Sequence, residues 1–249
     1  TMYREENMAD FFRGIPDRME IFGGLHIGIS ALFLAAAVLI FIFRKRLARL
    51  DGKIVRRVMA GILTANMLIH YASRLILGIW SFGEDLPLHI CFVTNFLLIY
   101  ILLTDDKLGL FRVVYYFTLI GPLPAMIWPD LSYSWQSYTF WQFVISHHFM
   151  LLCSLFCMFV FGYSVRLRSI FPAFFFGNIY IGAVWIFNAA FGTNYIMMEE
   201  LPQQLYEIYP FLDRLPPLAW LELVGAAVLL AAYLPALLAK KRGAGCQND

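Results

Sequence analysis

Five histidines are the residues of this sequence best suited to chemistry inside a membrane. They are His26, His70, His89, His147 and His148, and all fall in or near the same half of the membrane once the apolar segments are laid out. A histidine in a lipid-embedded helix is costly and usually faces a polar interior. Its imidazole also exchanges a proton near neutral pH. The histidines therefore predict one buried polar chamber.

Two candidate catalytic residues stand at the start of the third apolar segment, in LPLHIC at 86–91. A proline in the first turn is typical of a helix start, and the positive end of a helix favours a neutral imidazole that acts as a base. His89 is therefore a candidate base and Cys91 a candidate nucleophile. They are two residues apart, about 200° around a helix, so they are poorly placed to pair with each other.

The fifth apolar segment supplies two more catalytic candidates, His147 and His148, roughly two helical turns below the outer surface. Adjacent helical residues point about 100° apart, so one imidazole enters the chamber while the other contacts a neighbouring helix. We favour His148 for the chamber. Either one would activate water, a hydroxyl or the Cys91 thiol.

Polar side chains at a similar depth are candidates for binding a substrate. On the second segment Asn66, His70 and Arg74 recur every four residues and share one helix face. Arg74 either binds an anion in the chamber or extends to lipid phosphates, and His70 either faces the chamber or bonds a neighbouring helix. The further candidates are Asn188, Asn194, Tyr195 and Glu222. Arg74 or Asn194 would stabilise an oxyanion.

The composition requires helices that cross a membrane. The 249 residues are 61% hydrophobic and 14% charged, with a mean hydropathy of +0.69. Crossing roughly 30 Å of hydrocarbon takes about 20 mostly apolar residues. Alternating barrel patterning is absent, so the predicted fold is all-α, a polytopic membrane protein with seven transmembrane helices. The predicted spans are about 21–43, 54–78, 86–104, 109–128, 140–162, 169–190 and 217–239.

The basic residues predict the orientation of these spans. With the N-terminus outside, the inner loops collect 14 of the 19 Lys and Arg residues, which is typical of an N-out, C-in protein. We expect a single membrane domain over 1–249 in a cell membrane, most consistent with a bacterial plasma membrane. Residues 1–20 and 191–216 are expected outside, where they would roof the chamber. Gly192 is expected to end the sixth helix with a positive φ.

The net charge and the cysteines limit the kinds of partner and cofactor that we expect for this chain. The net charge is +2 without a basic stripe, so no nucleic-acid partner is expected. Cys153 and Cys157 are four residues apart on one helix face and are expected to pack in the core. No cofactor is implied, and the oligomeric state stays open.

Four motifs form a set: LPLHIC at 86–91, Gly121 with Pro129-Asp130, the histidines at 147–148, and Asn188 with GTNY at 192–195. This set resembles the motifs of YwaF-type bacterial integral membrane proteins, a family related to a eukaryotic branch with ether-phospholipid acyltransferase activity. The resemblance covers nearly every span after the first. In that branch the nucleophilic cysteine directly precedes the helix-start histidine, a position that Leu88 occupies here, so Cys91 does not match it. More distantly, the chain is similar to androgen-induced membrane hydrolases, which cleave lipid esters with Thr and His.

Three classes of function remain open. The first is a lipid acyl hydrolase or acyltransferase that acts on a membrane lipid or lipid-like molecule. The second is a protein that binds or transports such a molecule without chemistry, which the broken segment GPLP at 121–124 would suit. The third is a zinc-dependent lipid hydrolase similar to the seven-helix ceramidase group, with three histidines on the metal. That group carries paired histidines on its final helix, and this chain has none there.

Overall fold

A computed structural model describes residues 9–14, 17–105 and 109–232 of the chain. Within these ranges the fold is all-helical, as predicted, and contains no β-strand. Parts of the predicted segment 1–20 and the end of the predicted span 217–239 lie outside the described residues.

All but one of the following helices lie within a few residues of the predicted apolar segments, and the exception, Gln203–Ile208, is in the segment 191–216. The helices are α1 Gly24–Leu47, α2 Gly52–Ile76, α3 Ile90–Thr104, α4 Phe111–Ile120, α5 Pro122–Ile127, α6 Tyr138–Val144, α7 Met150–Phe159, α8 Ile170–Phe191, α9 Gln203–Ile208 and α10 Pro217–Ala231. A π-helical turn, Ile145–Phe149, joins α6 to α7.

Three described helices are long and apolar enough to cross a membrane: Gly24–Leu47, Tyr138–Phe159 and Leu167–Phe191. Shorter apolar helices are Ile90–Thr104, Phe111–Ile127 and Pro217–Ala231. The chain is thus a helical protein with membrane-spanning segments, whereas the count of seven crossings and their direction stay predictions.

Local sequence explains where several helices begin and end. The Asp51 carboxylate caps α2 by accepting hydrogen bonds from the N–H groups of Lys53 and Ile54, at 2.8 and 3.2 Å. The helix break between α4 and α5 falls at Pro122, which has no N–H to donate to the preceding turn. Gly192 ends α8 at φ 65°, which confirms the predicted cap.

The buried core is centred on α4, which contacts α3, α7, α8 and α10. Its Tyr115 and Tyr116 are fully buried, and their hydroxyls donate to the carbonyls of Ala232 and Arg166, each at 3.0 Å. Cys153 and Cys157 are buried in the same core, so their predicted packing role is confirmed. By contrast α1 and α8 expose most of their apolar side chains, as expected of helices that face lipid.

Loops 77–89, 128–137 and 192–216 meet at one end of the bundle, which we call the histidine end. An extended stretch at 17–20 joins it, where the Met19 N–H donates to the Leu131 carbonyl at 3.0 Å. The 192–216 loop is ordered by α9 and by two 3₁₀ turns, Tyr195–Met197 and Pro210–Arg214.

Candidate functional site

A small cavity of about 50 Å³ lies between α3 and the segment formed by α6 and the π turn. Such a volume is enough for water or for a reacting group. The cavity brings together a thiol, an imidazole, a hydroxyl and two amides. The lining residues are Cys91, Phe92, Asn95, Gln142, Ser146 and His147.

One wall comes from α3, where Cys91 and Asn95 are four residues apart and therefore share a face. Asn95 is 1% exposed, and its side-chain Oδ1 has no hydrogen-bond partner among the described atoms. A buried polar atom without a partner destabilises the fold by about 1–3 kcal/mol. This amide therefore marks the cavity as a place where a ligand or water belongs.

The π turn sets the opposite wall. In a regular α-helix Gln142 and His147 would point about 140° apart. The i→i+5 hydrogen bonds of a π turn bring residues five apart onto one face, and such turns often occur at functional sites. The turn therefore places His147 in the cavity beside Gln142. The expectation that His148 is the histidine of the site is wrong for this cavity.

The Phe143 carbonyl fixes the tautomer of His147. The Nδ1 atom lies 2.9 Å from the Phe143 carbonyl oxygen, which only accepts hydrogen bonds, so Nδ1 carries a proton and the neutral imidazole has its lone pair on Nε2. The imidazole also stacks on the Phe143 ring at 4.1 Å between centroids, which fixes its orientation.

A hydrogen-bond network joins this wall to α2. Asn66 Nδ2 and Gln142 Nε2 each donate to Ser146 Oγ at 2.9 Å, and Asn66 Nδ2 also lies 3.3 Å from the Gln142 carbonyl. The sequence analysis missed Asn95, Gln142 and Ser146. The spacing of four between Cys91 and Asn95, and again between Gln142 and Ser146, was the available signal.

His26 and His148 belong to a separate, apolar cavity of about 10 Å³. The Phe22 N–H donates to His26 Nδ1 at 2.9 Å, and His26 Nε2 donates to the Met126 carbonyl at 2.8 Å. The His148 ring packs edge-on against Phe33. The expectation of one chamber for all five histidines is therefore wrong, because adjacent His147 and His148 open onto different cavities.

His89 lies at the N-cap of α3 and faces the 192–216 loop. Its Nδ1 accepts a hydrogen bond from the Ile196 N–H at 3.3 Å, and its ring contacts Tyr195 edge-on. Neither described cavity includes His89 in its lining. The Nδ1 lone pair that would make His89 a base is occupied by the loop, and His89 is outside the lining of the cavity that contains His147.

Asn188 and Tyr195 hold the loop onto the start of α3. The Tyr195 hydroxyl accepts from the Leu86 N–H at 3.1 Å and donates to the Phe82 carbonyl at 2.5 Å. Burial raises the pKa of the Tyr195 phenol above its ordinary value, which keeps the hydroxyl protonated. The Asn188 amide bonds the Tyr195 backbone. Asn188 and Tyr195, both candidate binding residues, therefore form hydrogen bonds that hold the 192–216 loop against the start of α3.

The last two binding candidates lie apart from the cavity. Asn194 is bound within its own loop, where its side chain accepts from the Glu199 N–H at 2.9 Å and donates to the Glu200 carbonyl at 2.8 Å. Glu222 is half-buried on α10, and no described residue forms an ion pair with it.

Arg74 is paired with acids of the 77–89 loop. Its guanidinium forms ion pairs with Asp85 and, at 3.6 Å, with Glu84, and it donates to the Ile79 carbonyl at 3.2 Å. His70 Nε2 lies 3.8 Å from the same Asp85 carboxylate. Arg74 is therefore not a free anion site in the described part of the chain, since two carboxylates already neutralise its charge.

The described residues contain no group of three or more His, Cys, Asp or Glu side chains that could hold a metal ion. The histidines that a zinc-dependent hydrolase would need are divided among different places in this part of the chain. The described residues therefore provide no set of ligands for the zinc ion of a zinc-dependent hydrolase.

Comparison with sequence models of protein families shows the family of this chain. The model of the TMEM164 family matches residues 21–237, a range that includes α1 to α10 and both walls of the cavity. Neither the curated proteins nor the solved structures compared with the chain include a significant match.

Proposed function

This chain belongs to the TMEM164 family of membrane proteins, and we propose that it is a membrane-embedded lipid acyl hydrolase or acyltransferase with Cys91 as nucleophile and His147 as base. One observation carries the proposal: Cys91 and His147 line the same small cavity, and the Phe143 carbonyl holds the tautomer of His147 in which Nε2 acts as the base. A cysteine beside a neutral imidazole that is itself oriented by a third group is the arrangement of nucleophilic acyl transfer.

The reaction has two steps. Cys91 Sγ attacks the carbonyl carbon of a lipid ester while its proton passes to His147 Nε2. Collapse of the tetrahedral adduct expels the lipid alkoxide, which takes the proton from His147 and leaves a thioester on Cys91. Water or the hydroxyl of a second lipid then attacks the thioester, His147 accepts its proton, and the proton returns to the departing thiolate. Water gives a hydrolase, and a lipid hydroxyl gives an acyltransferase.

The size of the cavity is compatible with a lipid substrate. A space of about 50 Å³ takes a carbonyl group or a water molecule and not an acyl chain, so the chain must extend toward the lipid-facing surface. The resemblance to YwaF-type proteins and to androgen-induced hydrolases supports ester chemistry. Because Leu88 stands where the acyltransferase branch has its cysteine, the present assignment of the nucleophile rests on the cavity alone.

The orientation belongs to the same proposal. We place the N-terminus outside and the C-terminus inside, with seven spans, because 14 of the 19 basic residues then fall in inner loops. The resemblance to bacterial YwaF-type proteins favours a bacterial plasma membrane. The Cys91–His147 cavity then lies toward the outer half of the bilayer.

A second candidate function is binding of a lipid-like ligand without chemistry. It is favoured by the unpartnered Oδ1 atoms of Asn66 and Asn95, which would accept hydrogen bonds from such a ligand. A covalent intermediate separates the two functions, because only the enzyme forms one.

The test uses the full chain in lipid nanodiscs with a phospholipid that carries an isotope-labelled acyl ester. Intact-mass analysis should find an acyl adduct that hydroxylamine removes and that Cys91→Ala abolishes. His147→Ala should slow its formation by about 10²–10⁴-fold, the usual contribution of a general base.

The matched controls are Cys153→Ala, a core thiol, and His148→Ala, which lies on the other cavity. Both should leave the reaction unchanged. Adduct formation that survives Cys91→Ala would remove the assigned nucleophile. Lipid that co-purifies with the wild-type chain, without any adduct or turnover, would favour the binding protein.

A further inference from the structure

The oxygen of Ser146 already accepts two hydrogen bonds. A serine hydroxyl has one hydrogen to donate and two lone pairs to accept with. Both acceptor positions are filled, by Asn66 Nδ2 from α2 and by Gln142 Nε2 from the preceding turn, each at 2.9 Å. The remaining capacity of this buried hydroxyl is the donation of its own hydrogen.

The groups around Ser146 leave the cavity as the direction in which its hydroxyl can donate a hydrogen bond. The two amide donors occupy the α2 side and the Gln142 side of the oxygen, and Ser146 lines the same cavity as Cys91 and His147. Hydrogen bonds that a hydroxyl oxygen accepts polarise its O–H bond and strengthen it as a donor. The network therefore prepares Ser146 to donate to a group inside the cavity.

We propose that Ser146 is an oxyanion donor: its O–H binds the carbonyl oxygen of the ester as Cys91 attacks, and it stabilises the negative charge that develops there. This inference rests on the proposed acyl transfer at Cys91. Ser146 is not the nucleophile in this arrangement, because both lone pairs of its oxygen are held by amide donors. In this arrangement Asn66 and Gln142 are positioning residues, because their hydrogen bonds orient the Ser146 hydroxyl.

The test compares two reactions of the same thiol. Acylation of Cys91 by an activated ester, p-nitrophenyl palmitate, develops an oxyanion, whereas alkylation of Cys91 by iodoacetamide develops none. Ser146→Ala should slow acylation by about 10²–10³-fold, the usual effect of removing one oxyanion donor, and leave alkylation unchanged. His147→Ala should slow both reactions, because the thiolate is needed in each.

Two matched comparisons guard against a folding defect. Ser154→Ala removes a fully buried hydroxyl from α7, outside the cavity lining, and should change neither rate. Ser146→Thr and Ser146→Val have the same shape and differ in the hydroxyl, so the Thr variant should acylate faster while both alkylate alike.

Three results would overturn the inference: equal slowing of both reactions by Ser146→Ala, equal acylation of the Thr and Val variants, or an acyl adduct on Ser146. Failure of the proposed function is distinct, since then the wild-type chain forms no acyl adduct on Cys91 from any ester. A wild-type chain that acylates Cys91, with Ser146→Ala at the same rate, would remove only the oxyanion role.

Discussion

Asn188 and Tyr195 bind each other through two opposed hydrogen bonds. Asn188 Nδ2 donates to the Tyr195 carbonyl at 2.9 Å, and the Tyr195 N–H donates to Asn188 Oδ1 at 3.0 Å. This pair connects the end of α8 to the 3₁₀ turn Tyr195–Met197, whose Ile196 adopts φ 63°, a left-handed conformation that is strained for a β-branched residue. The pair therefore holds a strained turn against the start of α3.

Removal of this amide should loosen the histidine end. Asn188→Ala leaves the Tyr195 N–H and carbonyl buried without partners, and we expect a loss of about 1–3 kcal/mol in the free energy of unfolding. Denaturant unfolding in detergent micelles measures the change. Asn178→Ala on the same helix is the control, because Asn178 is exposed and bonds only the Phe174 carbonyl one turn away. Equal effects of the two substitutions would contradict a role for the Asn188–Tyr195 hydrogen bonds in holding the turn.

The Arg74–Asp85 ion pair should matter for folding. Arg74→Leu leaves the Asp85 carboxylate, which is 4% exposed, without its cation, and loss of one partner of a buried pair costs about 3–5 kcal/mol. Arg74→Leu combined with Asp85→Leu should be less destabilised than Arg74→Leu alone, because no unpaired charge remains. Thermal unfolding in micelles tests the order, with exposed Arg214→Leu as the neutral control. A double variant that is the least stable of the set would refute this account.

Substitution of Gly192 should destabilise the protein because of the backbone conformation at this position, and not because a side chain would lack space. At φ 65° an alanine is strained by roughly 1–2 kcal/mol, although a Cβ there would meet no atom within 4 Å. Gly182 also has free space but lies inside α8 with an ordinary helical φ. Gly192→Ala should therefore lower the midpoint of thermal unfolding, whereas Gly182→Ala should raise it by removing a flexible residue from a helix. Similar shifts for both variants would contradict the assignment of Gly192 as the residue that ends α8 with a positive φ.

The orientation predicts which terminus is reachable. An epitope tag before Met2 should bind antibody on intact cells, and one after Asp249 should bind only after permeabilisation. The reverse pattern would place the cavity toward the inner half of the bilayer, and the proposed site would then draw its substrate from the inner leaflet.

Hydropathy located the helices because the thickness of the bilayer, and not any tertiary contact, sets the length of an apolar segment. All of α1 to α10 except α9 therefore lie within a few residues of the predicted segments. The Gly192 cap was predictable for a similar reason, since a positive φ is a local requirement of one residue. The partner of Arg74 was not predictable, because Asp85 meets Arg74 only through the path that the 77–89 loop takes in the folded chain.

The sequence by itself determined that this is a helical membrane protein with polar side chains clustered toward one end. Only the tertiary structure decided which of them meet. A π turn rotates His147 toward Cys91 and leaves His148 on another cavity, yet that turn has no signature in composition or spacing. The physical reason is that neighbouring helical residues point about 100° apart. One extra residue in a turn therefore changes which imidazole reaches the thiol.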